Sequence, residues 1–166
     1  MEPPSKTRVN VLNQSGRRLR LEPLRQGVSH ALARHGCESA VVNVLLTGDD
    51  EIRALNQKFR NVDDSTDVLT FPSGDMPVEM PGEVPLGDIA ISVPYAARQA
   101  AARGVSLGQE IAYLGIHGAL HLVGFDDEED SDREKMVAEM NVVATSVGIK
   151  ADQDWYSLLH RERSGE

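Results

Sequence analysis

The sequence predicts one mixed domain in which short strands alternate with helices, and three observations carry that expectation. Apolar residues recur with a period of two in some stretches and near 3.6 in others, by turns along the chain. Clear helix starts and glycine stops separate the segments. The chain has 166 residues, 40% of them hydrophobic and 26% charged, enough for one core without disulfides or a structural metal and far from the composition of disorder. No internal repeat, low-complexity block or second domain is visible.

Residues 8–14 alternate like a strand. Residues 23–35 follow as a helix, with Leu24, Val28, Ala31 and Leu32 on one stripe and Gly36 as its stop. Residues 40–47, AVVNVLLT, are β-branched and apolar enough for a buried central strand. Asp49 or Asp50 then caps a helix through Ile52, Leu55 and Phe59. Residues 67–71 (DVLTF) and 88–93 (DIAISV) read as two more strands. Between them lies PSGDMPVEMPGEVPLG, whose four prolines oppose regular pairing; long loops in compact domains are often functional. An alanine-rich helix runs over 94–104, with Pro94 in its first turn.

Ser106 with Gln109, and Ser131 with Glu134, match the capping box and start helices over about 107–123 and 132–147. Met136, Met140, Val143 and Val147 form the apolar stripe of the second, which ends at Gly148; the methionines read as core with no cofactor role. Trp155 and Leu158 or Leu159 are expected to dock on the body, with short flexible ends at about 1–6 and 160–166.

Cys37 is the only cysteine, no signal segment opens the chain, and no apolar run approaches the roughly 20 residues that span a bilayer, so a reducing cytoplasm is expected and a membrane is not. The net charge of −9 argues against indiscriminate coating of nucleic acid. It is unevenly spread. Residues 1–60 hold 10 Lys/Arg against 6 Asp/Glu, whereas residues 61–166 hold 7 against 20. A basic face containing Arg17, Arg18, Arg20 and Arg25 is able to meet phosphates; the plainer reading is that these arginines only solubilise a hairpin and a helix.

The chemistry lies in residues 110–130, EIAYLGIHGALHLVGFDDEED. His117 and His121 stand four apart in a well-capped helix, on one face and one turn from each other, able to share an ion. Gly124 stops the helix, so that an acid beyond it, Asp126, Asp127 or Asp130, can fold back to complete the site. Two histidines and a carboxylate leave a tetrahedral ion one open position, as catalytic zinc sites do. An isolated H-x-x-x-H is more often two satisfied or surface histidines. Here the pair lies among Leu114, Ile116, Leu120 and Leu122, where unpaired imidazoles are costly, and is flanked by Gly115 and Gly118, which permit close approach. Most of the acidic run 126–132 is explained as a solvated turn before a helix start.

These residues resemble the signature of the YbeY family, a His-Gly-x-Leu-His-Leu-x-Gly-Tyr-Asp segment followed by a third histidine ligand. HGALHLVGFDD matches it through His117, His121, Phe125 and Asp126, and Asp127 occupies the third ligand's place. LNQKFRNVDDSTDVLTFP (residues 55–72) and LGDIAIS (residues 86–92) are similar to two further family blocks in the same order. The resemblance implies an α+β domain spanning residues 1–166, with a mixed sheet of about four strands, about five helices and a zincin-like metal helix. It implies a single-strand-specific, metal-dependent endoribonuclease of 16S rRNA 3′-end maturation and ribosome quality control. The ligands would be His117, His121 and Asp127, the cofactor one divalent ion, zinc, and the partners RNA of the small ribosomal subunit and a ribosomal protein. Arg60 matches an arginine that lines the metal cleft. A guanidinium there could hold two oxygens of a developing phosphorane, against the plainer reading of a charge complementing a helix end.

Three rivals remain at this level. A metallopeptidase would carry H-E-x-x-H, but Gly118 stands where its glutamate belongs. A non-haem iron oxygenase shares the donor set. A non-catalytic assembly factor would close the ion with a fourth protein ligand such as Asp130.

Overall fold

The computed structural model describes residues 7–72 and 86–155. The elements follow as β1 (Arg8–Asn13), α1 (Glu22–Arg34), β2 (Val41–Thr47), α2 (Asp49–Arg60), β3 (Val68–Pro72), β4 (Gly87–Ser92), α3 (Val93–Arg103), α4 (Leu107–Leu122) and α5 (Asp130–Ser146). The sheet has the order β1-β2-β4-β3. β1, β2 and β4 are parallel, and β3 runs antiparallel to β4 with Phe71 opposite Asp88. This is the mixed four-stranded α+β arrangement expected.

All seven residues of β2 are buried, in keeping with its largely apolar sequence, and its buried Asn43 donates to Asp88 Oδ1 at 3.0 Å. Because side chains alternate along a strand, Val42, Val44 and Leu46 join Ile89 and Ile91 in the larger core beneath α1, α4 and α5. Leu45 joins Leu69, Phe71 and Ala90 in a smaller core under Ile52 and Leu55 of α2.

Helix α4 is the hub. It is buried without interruption from Glu110 to Leu120, as a helix apolar on every side must be, and it packs on α1, α3, α5, β3 and β4. Leu114, Ile116 and Leu120 are fully buried, each stabilising by about 1.5–3 kcal/mol. The two glycines flanking the histidines serve this packing. A Cβ on Gly115 would collide with Leu24 of α1, and one on Gly118 would stand 2.9 Å from Ile89 Cγ2 of β4.

The Ser106 cap is present, its hydroxyl accepting from the Gln109 N–H at 3.1 Å. Two other caps differ from expectation. Gly48 caps α2, and Asp49, its first residue, turns its carboxylate to tertiary partners: Arg98 Nη1 at 2.9 Å, the Ser92 hydroxyl at 2.7 Å and the Ser65 hydroxyl at 3.0 Å. The start of α5 falls at Asp130, with Glu129 as an extended N-cap, so Ser131 lies inside the first turn. The Arg133 N–H bonds the Glu129 carbonyl at 2.9 Å, which closes the turn two residues early. In the stripe of α5, Met136, Met140 and Val143 are buried, and Ala144 takes the place expected for Val147.

The proline-rich loop beyond Pro72, Leu158, Leu159 and the flexible-end expectations at 1–6 and 160–166 lie outside the described residues. Trp155 does dock, its indole N–H donating to Glu110 Oε1 at 2.6 Å. No helix among the described residues is long and apolar enough to cross a membrane.

Candidate metal centre

The geometry of the site follows from how α4 ends. Gly124, at φ 105°, adopts a backbone that a side chain would strain, and the chain reverses there. The Phe125 N–H returns to the Leu120 carbonyl at 3.0 Å and the Gly124 N–H to the His121 carbonyl at 3.1 Å, the two bonds of a Schellman cap. Phe125 then packs its ring edge-on to His35, with centroids 5.0 Å apart. Next, Asp126 Oδ1 accepts from the Asp127 N–H at 2.7 Å and the Glu128 N–H at 3.2 Å, folding the turn. From α5, Arg133 Nη1 donates to the carbonyls of Asp127 and Glu128 at 3.1 and 2.9 Å. These contacts aim the Asp127 carboxylate back at the helix it has just left.

Three donor atoms converge there. His117 Nε2 and His121 Nε2 lie 3.1 Å apart, and Asp127 Oδ2 stands 3.3 Å from the first and 3.4 Å from the second. Donors held tetrahedrally about 2.0–2.1 Å from a small ion are about 3.3–3.4 Å from one another, so the spacing matches a common ion. Protonation agrees. Burial holds the His117 imidazole below the ordinary histidine range, against the pull of Asp127. Asp127 lies well below the usual carboxylate range: burial opposes ionisation, but hydrogen bonds from His117 and His121 outweigh it. Neutral imidazole and ionised carboxylate are the forms that bind a metal. His117, His121 and Asp127 therefore form a group that could hold a metal ion.

The trio sits in a cleft of about 440 Å³ that also contains Asn56, Arg60, Thr66 and Asp67. Arg60 reaches it from the end of α2. Its Nη2 donates to the Thr70 carbonyl at 2.7 Å, and its guanidinium lies 5.9 Å from the Phe71 ring centroid. Of the other acids considered from sequence, Asp126 lines the cleft but spends Oδ1 on the turn. Asp130 is exposed, pairs with Arg133 and is not part of the converging group. The position of a peptidase glutamate is closed, because residue 118 faces Ile89 across a gap too small for a side chain.

Two neighbours escaped the sequence reading. The Trp155 ring lies 5.0 Å from the His117 ring, and Asp67, read only as part of a strand, is buried on the cleft wall. Neither has a spacing signal, since both reach the site through tertiary packing.

Comparison with known proteins agrees with this picture. The family description Endoribonuclease YbeY matches residues 10–148. A protein of that name from Caldicellulosiruptor bescii is 42% identical over 120 residues, covering 68% of this chain and 76% of its own. Another, from Aquifex aeolicus, is 39% identical over 135 residues, covering 81% and 88%. A Thermotoga maritima protein solved in solution superposes with a TM-score of 0.60 at 27% identity, covering 95% of this chain and 93% of its own. With two histidines of one helix meeting a carboxylate from the turn that follows it, over a mixed sheet, and with this extent of similarity, the chain belongs to the Endoribonuclease YbeY family.

Proposed function

We propose that the chain is a single-strand-specific metal-dependent endoribonuclease that matures the 3′ end of 16S rRNA in the cytoplasm and acts in ribosome quality control. Its ion is zinc, held by His117, His121 and Asp127. The observation that carries the reading is the convergence of three donors, 3.1–3.4 Å apart, in a cleft that an arginine also enters. Family membership supplies the substrate class: the relatives' name specifies an endoribonuclease. Zinc is favoured over harder ions because two of the three donors are imidazoles and their spacing fits a tetrahedral shell.

When bound, such an ion supplies Lewis acidity, polarising a phosphoryl oxygen or lowering the pKa of a water. The rest is done by the chain. Burial holds the His117 imidazole below the ordinary histidine range, toward the neutral form in which a ring nitrogen can coordinate an ion. The turn at Asp126 and the Arg133 clamp hold Asp127 in place. Arg60 is anchored through one N–H to the Thr70 carbonyl, and its remaining donors can grip two oxygens of a scissile phosphate as negative charge builds. The exposed Arg17, Arg18, Arg20 and Arg25 offer a more distant contact for the RNA backbone, and a ribosomal protein is a candidate partner.

The test is a parallel digestion of structured RNA with single-stranded loops and of casein, with and without chelator. Chelator-sensitive cleavage of RNA in its single-stranded parts, with casein intact, is the expected result. Chelator-sensitive casein cleavage without ribonuclease activity would establish a peptidase instead.

A further inference from the structure

Asp67 stands immediately before β3 at 3% exposure, on the wall of the cleft that holds His117, His121 and Asp127. Its placement is over-determined. Its carbonyl accepts from the Ser92 N–H at 2.9 Å, and its Oδ1 accepts from the Val68 N–H at 2.7 Å and the Thr66 hydroxyl at 3.2 Å. The approach to it is held as well, since Asn56 Nδ2 donates to the Asp64 carbonyl at 2.9 Å and Ser65 bonds Asp49. Its second oxygen, Oδ2, is buried and accepts no hydrogen bond from any described residue. Taking a carboxylate out of water costs several kcal/mol unless something compensates it. So much anchoring around an uncompensated oxygen marks a charge kept for a partner that the described residues do not supply. Asp67 and His117 line the same cleft.

We propose that Asp67 is a positioning residue for the bound cation: its fixed charge, acting across the cleft wall at His117, supplies the second negative unit that balances a divalent ion held by two neutral imidazoles and one carboxylate. This rests on the metal-holding reading of His117, His121 and Asp127. Asp67 does not join the converging donor group, so it acts through the field at the ion and through His117, in the manner of outer-sphere carboxylates that strengthen metal sites. The account has a consequence that a purely structural aspartate lacks. In the metal-free protein the buried charge is a liability, and the ion turns it into an asset.

The experiment uses the full chain, stripped by chelator and dialysed, with Zn²⁺ as the probe. Zinc affinity is measured by competition with a chromophoric chelator, and thermal unfolding is followed with and without zinc, for the native protein and Asp67→Asn. The amide keeps the shape and an acceptor for the Val68 N–H. Zinc binding should weaken by roughly 10–100-fold, while the metal-free variant melts at the same temperature as the metal-free native protein or higher. If Asp67→Asn does not fold, Asp67→Ser, which also retains an acceptor, takes its place with the same two expectations. Affinity within about twofold of native, or weakened affinity together with a less stable metal-free protein, would overturn the inference. A native protein that binds no zinc or other divalent ion would bring it down together with the metal reading; unaltered zinc binding in the variant alone would remove only the role of Asp67.

Discussion

The two ends of α4 bury charge in opposite ways. At its start, Glu110 is completely buried and fully met: Arg103 Nη1 lies 2.6 Å from Oε2, and the Trp155 indole nitrogen 2.6 Å from Oε1. Arg103 in turn donates to Asp152 at 3.0 Å, so cation and anions close into a network that ties α3 and the chain after α5 to the hub. Burial pushes the Glu110 carboxyl above its ordinary range while Arg103 and Trp155 pull it back. Two turns later the same helix presents His117 and His121 to Asp127, one carboxylate with no Lys or Arg among the converging donors, while Asp67 and Arg60 line the surrounding cleft. The first cluster is complete as it stands. The second could hold a cation. One helix thus carries a closed structural charge network at one end and a partly open candidate metal site at the other.

The largest expected effect falls on the complete cluster. Glu110→Ala leaves Arg103 with one partner fewer in a buried setting and removes the acceptor of Trp155, so unfolding free energy should drop by about 3–5 kcal/mol, read from denaturant melts. A loss under about 1 kcal/mol would show that the network contributes little beyond packing.

The next effect falls on catalysis and not on the fold. Arg60→Ala should lower RNA cleavage by about 10²-fold, equivalent to about 2.7 kcal/mol of barrier, with metal content and melting temperature unchanged. Unaltered turnover in a folded variant would return Arg60 to the role of a surface charge over Phe71.

Asp127 sharpens the contrast further, because here the carboxylate belongs to the candidate metal cluster. Asp127→Ala should lose the ion on dialysis and lose activity with it. Asp127→His should keep the ion and shift the activity profile to lower pH: a neutral ligand leaves the ion a stronger Lewis acid, whereas a carboxylate raises the pKa of bound water above about 7. A profile unmoved, or moved upward, would mean that Asp127 is not a ligand. The smallest effect is expected at Asp126. Asp126→Ala removes two turn bonds, costs about 1 kcal/mol of stability, and keeps the ion. Loss of the ion in this variant would make Asp126, not Asp127, the third ligand.

How much of this is legible in the sequence depends on how local the physics is. The Ser106 cap, the i, i+4 histidines and the Gly124 reversal are decided within a few residues, and the structure places all three as expected. The choice among Asp126, Asp127 and Asp130 came from family likeness, because spacing alone allows each. The structure brings Asp127 to the histidines through Arg133, a contact from the next helix. What the sequence could not disclose is non-local. Asp49 looks like a cap but is taken by Arg98, 49 residues on, and the Arg103–Asp152 pair has the same separation. Asp67 opens a strand with no periodic signal, and only its burial against α4 makes it notable.

The central claim is that His117, His121 and Asp127 hold one divalent ion on which RNA cleavage depends. It is tested most directly by metal analysis of the purified protein and its Asp127→Ala variant, coupled to cleavage of structured RNA before chelation, after chelation and after zinc is restored. The account predicts one zinc per native chain, none in the variant, and activity that disappears with the metal and returns with it. Full cleavage by the metal-free native chain, or full zinc retention by Asp127→Ala, would contradict it.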